Sequence, residues 1–314
     1  MKIAVLVCDG VFDLGLAAVL DVFDTANAMA DEPRWTVTKV GFAPRVRTSA
    51  GSLVDCAPAA QAESADLLVV PAVNEREPKG MVEFVSGDRS RRARELIVRT
   101  RARGAAVASA CSGTFLLAEA GVVDDVRVTT TWWLTPVFRT RYPHVRLDQD
   151  RMVVQEDGIT TAGAAFGHVD MAMALVREGS PAVADLVARY LAIDERPSQA
   201  PYVLPSVLAQ HDPTVAAFER WVRDHLAGPI SVPAVARRLG VSERTLQRAV
   251  QRTMGTSPIR LVQDLRIERA TELLRTTDLS VETIARRVGY EQANTLRVLL
   301  RERTGKTTTA LRAG

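Results

Sequence analysis

Ser231-Val-Pro-Ala-Val-Ala-Arg-Arg-Leu-Gly-Val-Ser-Glu-Arg-Thr-Leu-Gln-Arg-Ala-Val-Gln-Arg252 decides how this chain is organised. Ser231 is a good N-cap, and Val232 to Leu239 makes a short helix with Val235, Ala236 and Leu239 on one face. Gly240 stands where a helix C-terminus favours a left-handed residue. Ser242 then caps a second helix, Glu243 to Arg252, whose Leu246, Ala249 and Val250 point inward at spacings of three and four. Arg244, Thr245, Gln247, Arg248 and Gln251 face out. Two helices joined by a glycine turn, with Arg and Gln on the outer face of the second, predict a helix-turn-helix. Arg pairs with guanine and Gln with adenine in a major groove, so the face has base-reading chemistry.

A helical hairpin with a merely solvated face is the competing reading, and an internal repeat argues against it. Ala236-Arg-Arg-Leu-Gly-Val recurs as Ala285-Arg-Arg-Val-Gly-Tyr, Thr245-Leu246 as Thr295-Leu296, and Gly255 as Gly305. The offset grows from 49 to 50 between the first and second of these matches, which places one extra residue in the second turn. Between the copies, Ser257-Pro258 opens a helix running to about Arg275. Two reading helices roughly 34 Å apart would meet successive major-groove turns of one duplex.

Pro213 to Arg312 resembles the AraC family of transcription regulators. The matching residues include Leu239-Gly-Val-Ser-Glu-Arg-Thr-Leu-Gln-Arg248, Gly255-Thr-Ser-Pro258, Leu265-Arg-Ile-Glu-Arg-Ala270, Ile284-Ala285 and Val288-Gly-Tyr290. The resemblance implies double-stranded DNA as partner. It makes Ser242, Arg244, Thr245, Gln247 and Arg248 of the first unit, and Gln292, Asn294, Thr295 and Arg297 of the second, the DNA-contact candidates. The second unit departs from the family: aromatic-x-Arg-x-Phe is replaced by Leu296-Arg-Val-Leu-Leu300, and the Ser-Pro after the last glycine by Thr307-Thr308. Base reading is therefore expected above all from the first unit.

Charge follows the same division. From Asp212 onward there are 18 Lys+Arg against 11 Asp+Glu, a net of +7, while Met1 to His211 carries a net of −4. Positive charge thus gathers where phosphates would be met, with Arg266, Arg269, Arg286 and Arg287 as further candidates. The cysteines, at 8, 56 and 111, show neither metal-site nor disulfide spacing, so no metal or cofactor is expected and a reducing cytoplasm is the simplest location. Met1 to Asp9 reads as a buried first strand rather than a leader, and no run is long enough to span a membrane.

Upstream, apolar runs at Ile3–Val7, Asp66–Pro71 and Ala105–Ser109 read as strands buried on both faces, with Thr36–Gly41 as another and Val128–Thr131 as strand-like. A hairpin is expected around Ala50-Gly51 and a second around Asp157-Gly158. Helices are expected at Leu14–Ala28, Arg89–Arg103, Cys111–Glu119, Trp133–Tyr142, Ala165–Arg177 and Pro181–Leu191. Strands alternating with helices predict an α/β, doubly wound, flavodoxin-like sandwich over 1–195. A linker over 196–211 and an all-α domain with two helix-turn-helix units over 212–314 complete the expected organisation.

Ser109-Ala-Cys-Ser-Gly113 lies between a buried strand and a helix, the geometry of a nucleophile elbow at a helix N-terminus. With Thr129-Thr130-x-Trp132 and Asp157-Gly-Ile-Thr-Thr-Ala-Gly163 it makes Met1 to about Glu195 resemble the PfpI-type, glutamine-amidotransferase-like domain. The domain order resembles the GlxA subgroup of AraC-type regulators. In the family's enzymes a carboxylate and often a histidine accompany the cysteine; here Gly15 stands at the acid's place and Thr131 at the histidine's. Asp13, two residues from Gly15, is the available substitute, and His168 reads as a structural helix histidine. A thiol without base or acid has lost what activates it. The domain is thus expected to sense a small molecule, with Asp13, Cys111, Ser112 and Thr131 at the pocket, and to supply homodimerisation. The resemblance implies a nitrogenous effector such as an amino acid or quaternary amine. The rival reading is a cysteine-dependent amidase or hydratase acting through Cys111.

Overall fold

The computed structural model describes residues 1–313 and divides into two compact units, Met1–Gln199 and the chain from Ala200 onward. The first unit runs β1 (Lys2–Leu6), α1 (Asp13–Met29), β2 (Thr36–Gly41), β3 (Arg45–Arg47), β4 (Leu53–Asp55), β5 (Ala57–Pro58), β6 (Leu67–Val70), α2 (Pro78–Ser86), α3 (Asp88–Ala102) and β7 (Ala106–Ala110). It continues with α4 (Gly113–Glu119), β8 (Arg127–Val128), α5 (Thr135–Arg141), β9 (Arg146–Leu147), β10 (Val153–Glu156), β11 (Ile159–Ala162), α6 (Gly167–Gly179) and α7 (Pro181–Tyr190).

The main sheet has the order β10-β11-β7-β6-β1-β2-β5, parallel throughout except for the antiparallel edge strand β10. Its apolar runs are buried on both faces because successive side chains alternate between two cores. Ile3, Val5, Leu67, Val69, Ala108 and Ala110 face α1, α6 and α7, while Ala4, Leu6, Leu68, Val70 and Val107 face α2 to α5. β1 leads to β2 on one side and β6 lies on the other, so the strand order reverses at β1/β6. In such sheets the crevice at the carboxyl ends beside that reversal is where ligands sit. The turn after β7 opens next to it.

Two local expectations are corrected. The strand expected over Val128–Thr131 shrinks to β8, because Thr129 and Thr130 turn their hydrogen bonds to Thr161, Arg151 and Cys111 instead of to a ladder. Helix α2 went unread because its apolar face is short, carried by the buried Met81 and Val85. The stretch read as a linker is structured at both ends. Arg196 pairs with Asp170 (2.5 Å), and Gln199 is fully buried in the first unit; α8 (Pro205–Ala209) packs on the next helix of the second.

The second unit continues with α9 (Pro213–Asp224), α10 (Val232–Arg238), α11 (Glu243–Met254), α12 (Pro258–Thr276), α13 (Val281–Arg287), α14 (Ala293–Thr304) and α15 (Thr308–Arg312). The repeat is visible in its caps. Ser231 and Ser280 cap α10 and α13, and Ser242 caps α11. Ser257 and Thr307 cap α12 and α15, and Gly255 and Gly305 end α11 and α14 in the left-handed conformation.

The two turn glycines carry different loads. Gly240 has φ +71° and open space around its Cα, whereas a Cβ on Gly289 (φ +83°) would lie 2.3 Å from the Leu226 carbonyl oxygen and 2.5 Å from Arg266. Gly240→Ala is expected to cost about 1 kcal/mol, the left-handed penalty alone. Gly289→Ala adds overpacking against backbone and should cost about 2–4 kcal/mol. Thermal melts of the two variants beside wild type check this; equal shifts would contradict the close packing of the second turn.

Candidate functional site

The outer face of α11 is built from its inner one. Leu246 and Val250 are fully buried, with Ala249, Thr253 and Met254 beside them, and the 3.6-residue period then sends Arg244, Thr245, Gln247, Arg248 and Gln251 outward. The helix is held from behind: Arg252 pairs with Asp212 (2.7 Å), whose other carboxylate oxygen caps α9. Arg244, Gln247 and Arg248 have no side-chain partner among the described residues, so their donors are available to a ligand. Ser242 and Thr245 differ. The Ser242 hydroxyl accepts the Thr245 amide (3.1 Å) and lies 2.8 Å from the Thr245 hydroxyl, so the pair fixes the start of α11 and one of the two hydroxyl hydrogens stays free.

In the second unit, Gln292, Asn294 and Thr295 are exposed and unpaired, and Gln292 occupies the N-cap position without capping. Arg297 is tied to Glu282 (2.9 Å). Of the expected phosphate contacts, Arg286 and Arg287 are exposed, and Arg269 pairs with Glu272 (2.6 Å). Arg266 serves the fold instead: it donates to the Gly228 carbonyl (2.8 Å) and lies over the Tyr290 ring.

The elbow of the first unit brings Cys111, Ser112 and Thr131 together and seals them. Cys111 takes φ +56°, in the left-handed region; its amide donates to Ala162 (2.8 Å), and its carbonyl accepts the Thr130 hydroxyl (2.8 Å). A Cβ on Gly113 would meet the Val70 carbonyl oxygen at 2.4 Å, so only glycine lets α4 start this close to the end of β6. The Ser112 hydroxyl is committed to the Val73 carbonyl (2.7 Å). Burial pushes the Cys111 thiol up to about 11, against weaker opposing contributions from the Thr131 hydroxyl and the Ser112 amide. The Thr131 hydroxyl is itself fully buried and makes no well-formed hydrogen bond; its polar neighbour is that thiol.

Position 15 is closed by packing. A Cβ on Gly15 would lie 2.6 Å from His168 Nε2. His168 is fully buried, accepts the Ala72 amide at Nε2 (3.0 Å) and donates from Nδ1 to the Ala165 carbonyl (2.7 Å). Desolvation lowers it to about 4, so the ring is neutral and both nitrogens are spent. Asp13 is held by the turn at Ser49 and Ala50. Desolvation works to raise its carboxyl, but the Thr48 hydroxyl beside it, the Ala50 amide (2.8 Å) and the Ser49 hydroxyl (2.9 Å) together hold it below the usual carboxylate range. Among the described residues no group of three or more His, Cys, Asp or Glu could hold a metal ion, and no helix is long and apolar enough to cross a membrane.

Sequence reading missed Gln199. Its amide donates to the Thr129 hydroxyl (3.0 Å) and the Thr130 carbonyl (2.9 Å), and its side chain fills the space a Cβ on Gly163 would take. Through Thr130 it stands two hydrogen bonds from Cys111. The available signal was Gly163, a glycine at a strand end with φ needing no special freedom, which marks a close approach.

A thiol raised in this way is protonated at neutral pH. Peptide-resolved alkylation of native protein should therefore show Cys111 reacting slowly at pH 7, with a rate that keeps rising through pH 9. A plateau at or below pH 8.5 would contradict the sealed elbow.

Residues 1–178 match the DJ-1/PfpI family, and residues 235–314 match a helix-turn-helix domain. The chain is 26% identical over 286 residues to the HTH-type transcriptional regulator GlxA of Rhizobium meliloti, covering 88% of this chain and 85% of that protein. It is 27% identical over 185 residues to the HTH-type transcriptional regulator CdhR of Pseudomonas aeruginosa, spanning 57% of this chain and about half, 54%, of that one. An AraC family transcriptional regulator from Pseudomonas putida superposes with a TM-score of 0.52 at 21% identity, over 60% of this chain and 98% of that one. Drosophila melanogaster DJ-1beta gives 0.51 at 18%, over 62% and 98%, so both share the first unit's fold. With its elbow cysteine after β7 and more than half its length matched, the chain belongs to the DJ-1/PfpI family and carries a helix-turn-helix domain of the AraC type behind it.

Proposed function

We propose that this protein is a sequence-specific DNA-binding transcription regulator. One observation carries the reading: Arg244, Gln247 and Arg248 lie exposed and unpaired on a helix locked from behind in a helix-turn-helix. Guanidinium and carboxamide groups presented this way match guanine and adenine edges. The surplus of positive charge from Asp212 onward supplies the phosphate attraction. The relatives named as HTH-type regulators support the same reading.

The first domain, on this proposal, senses a small molecule at the carboxyl ends of the sheet and no longer catalyses. A protonated thiol, a glycine in the acid's place and a spent His168 all oppose nucleophilic chemistry. The buried, poorly satisfied Thr131 hydroxyl supports a polar group of the effector beside Cys111, admitted when the sealed elbow opens. Homodimerisation through this domain would let two chains engage repeated half-sites, which sedimentation at micromolar concentration tests.

Arg248→Ala should cost about 1–3 kcal/mol on a selected duplex and relax preference at one base pair. Wild-type affinity should fall with salt by about 0.9 log units per phosphate neutralised per log unit of salt. Titrations of full-length protein on selected and random duplexes measure both. Equal loss of the variant on the two duplexes would make Arg248 a phosphate contact and remove the base-reading assignment.

A further inference from the structure

The internal repeat allows the two reading helices to be compared position by position, because Leu246 and Leu296 are both fully buried and Gly255 and Gly305 end both helices in the same conformation. At an offset of 50, Arg244 corresponds to Asn294, Thr245 to Thr295, Gln247 to Arg297 and Arg248 to Val298. Val298 is 49% exposed, on the face where the first unit presents a guanidinium. Of the guanidinium groups on that face, Arg297 is held by Glu282 on α13, while Arg301, at the place of Gln251, is exposed in the last turn of α14, beyond the N-terminal residues of a reading helix that meet base edges. In the first unit the residue equivalent to Glu282, at the repeat's offset of 49, is Pro233, so nothing there draws the outward side chains back.

The first two turns of α14 thus offer a carboxamide, a hydroxyl and a branched apolar group where those of α11 offer two free cations, a carboxamide and the hydroxyl of Thr245. Base edges in a major groove carry one apolar group, the C5-methyl of thymine, and Asn pairs bidentately with adenine. Hydrophobic contact is the interaction by which an exposed valine gains on docking. Resting on the DNA-binding reading above, we infer that Val298 and Asn294 make the second helix a reader of A·T pairs, with Val298 packed on a thymine methyl. The operator is then chemically asymmetric: a guanine-containing block lies under α11 and an A·T block under α14, about one helical turn away.

The test begins with selection from a random duplex library by the full-length chain. Each thymine of the selected sequence is then replaced singly by deoxyuridine, which removes only the methyl group. Wild type should lose about fourfold in affinity at one or two uridine positions in the A·T block, the worth of one buried methyl. Val298→Ala should be insensitive to uridine at those positions while keeping its melting temperature, because the side chain is exposed. Val298→Arg should bring guanine into the second block. Arg248→Ala should relax preference at one base pair of the first block and leave uridine sensitivity unchanged.

Uridine at every thymine without effect on wild type, or full sensitivity in Val298→Ala, would overturn the assignment of Val298. A selection yielding one block alone would also overturn it and turn attention to Val298 as a protein contact. If Arg248→Ala behaves as stated in either case, the DNA-reading assignment of α11 stands; if nothing is selected, both fall together.

Discussion

Helical phase is the constraint on which the DNA-facing half depends. Once Leu246, Ala249 and Val250 are drawn into the core, the residues between them have no choice but to face out. Apolar burial of a few side chains therefore aims Arg244, Gln247 and Arg248 more firmly than any polar contact they make. The Ser242 cap and the Arg252–Asp212 pair add to this by fixing where the helix begins and how it leans on α9. The same phase in α14, set by Leu296 and Leu300, aims a different set of groups with the same economy of means.

In the first domain desolvation plays the corresponding part. The elbow that presents Cys111 is packed so tightly between the ends of β6 and β7 that the thiol keeps its proton. An ionised cysteine would need a nearby charge or donors strong enough to offset burial, and the structure supplies a threonine hydroxyl and one amide. His168 occupies the space in front of Gly15 and spends both ring nitrogens on backbone. A carboxylate at position 15 would require that ring to move. The glycine and the placement of the histidine are thus one structural arrangement.

Most of the architecture was legible because it rests on periodicity and punctuation. Continuous apolar runs marked the parallel strands, and Asp157-Gly158 marked the β10–β11 hairpin. The serine caps and left-handed glycines gave both helix-turn-helix units. What escaped was set by tertiary contact. Arg196 to Gln199 has the composition of a linker, yet Gln199 is buried by hydrogen bonds to Thr129 and Thr130, about 70 residues earlier in the chain. Nothing local to Asp13 announces that its carboxylate belongs to the turn at Ser49 and Ala50. Arg297 and Arg248 look alike in sequence, and only the fold brings Glu282 to one and leaves the other free.

Whether the repeated helix-turn-helix reads DNA sequence is decided by a hydroxyl-radical footprint of the protein on a selected duplex. Each chain should give two protected patches on one face of the duplex, separated by about one helical turn. Protection that is uniform along the duplex, or identical on a scrambled sequence, would contradict it.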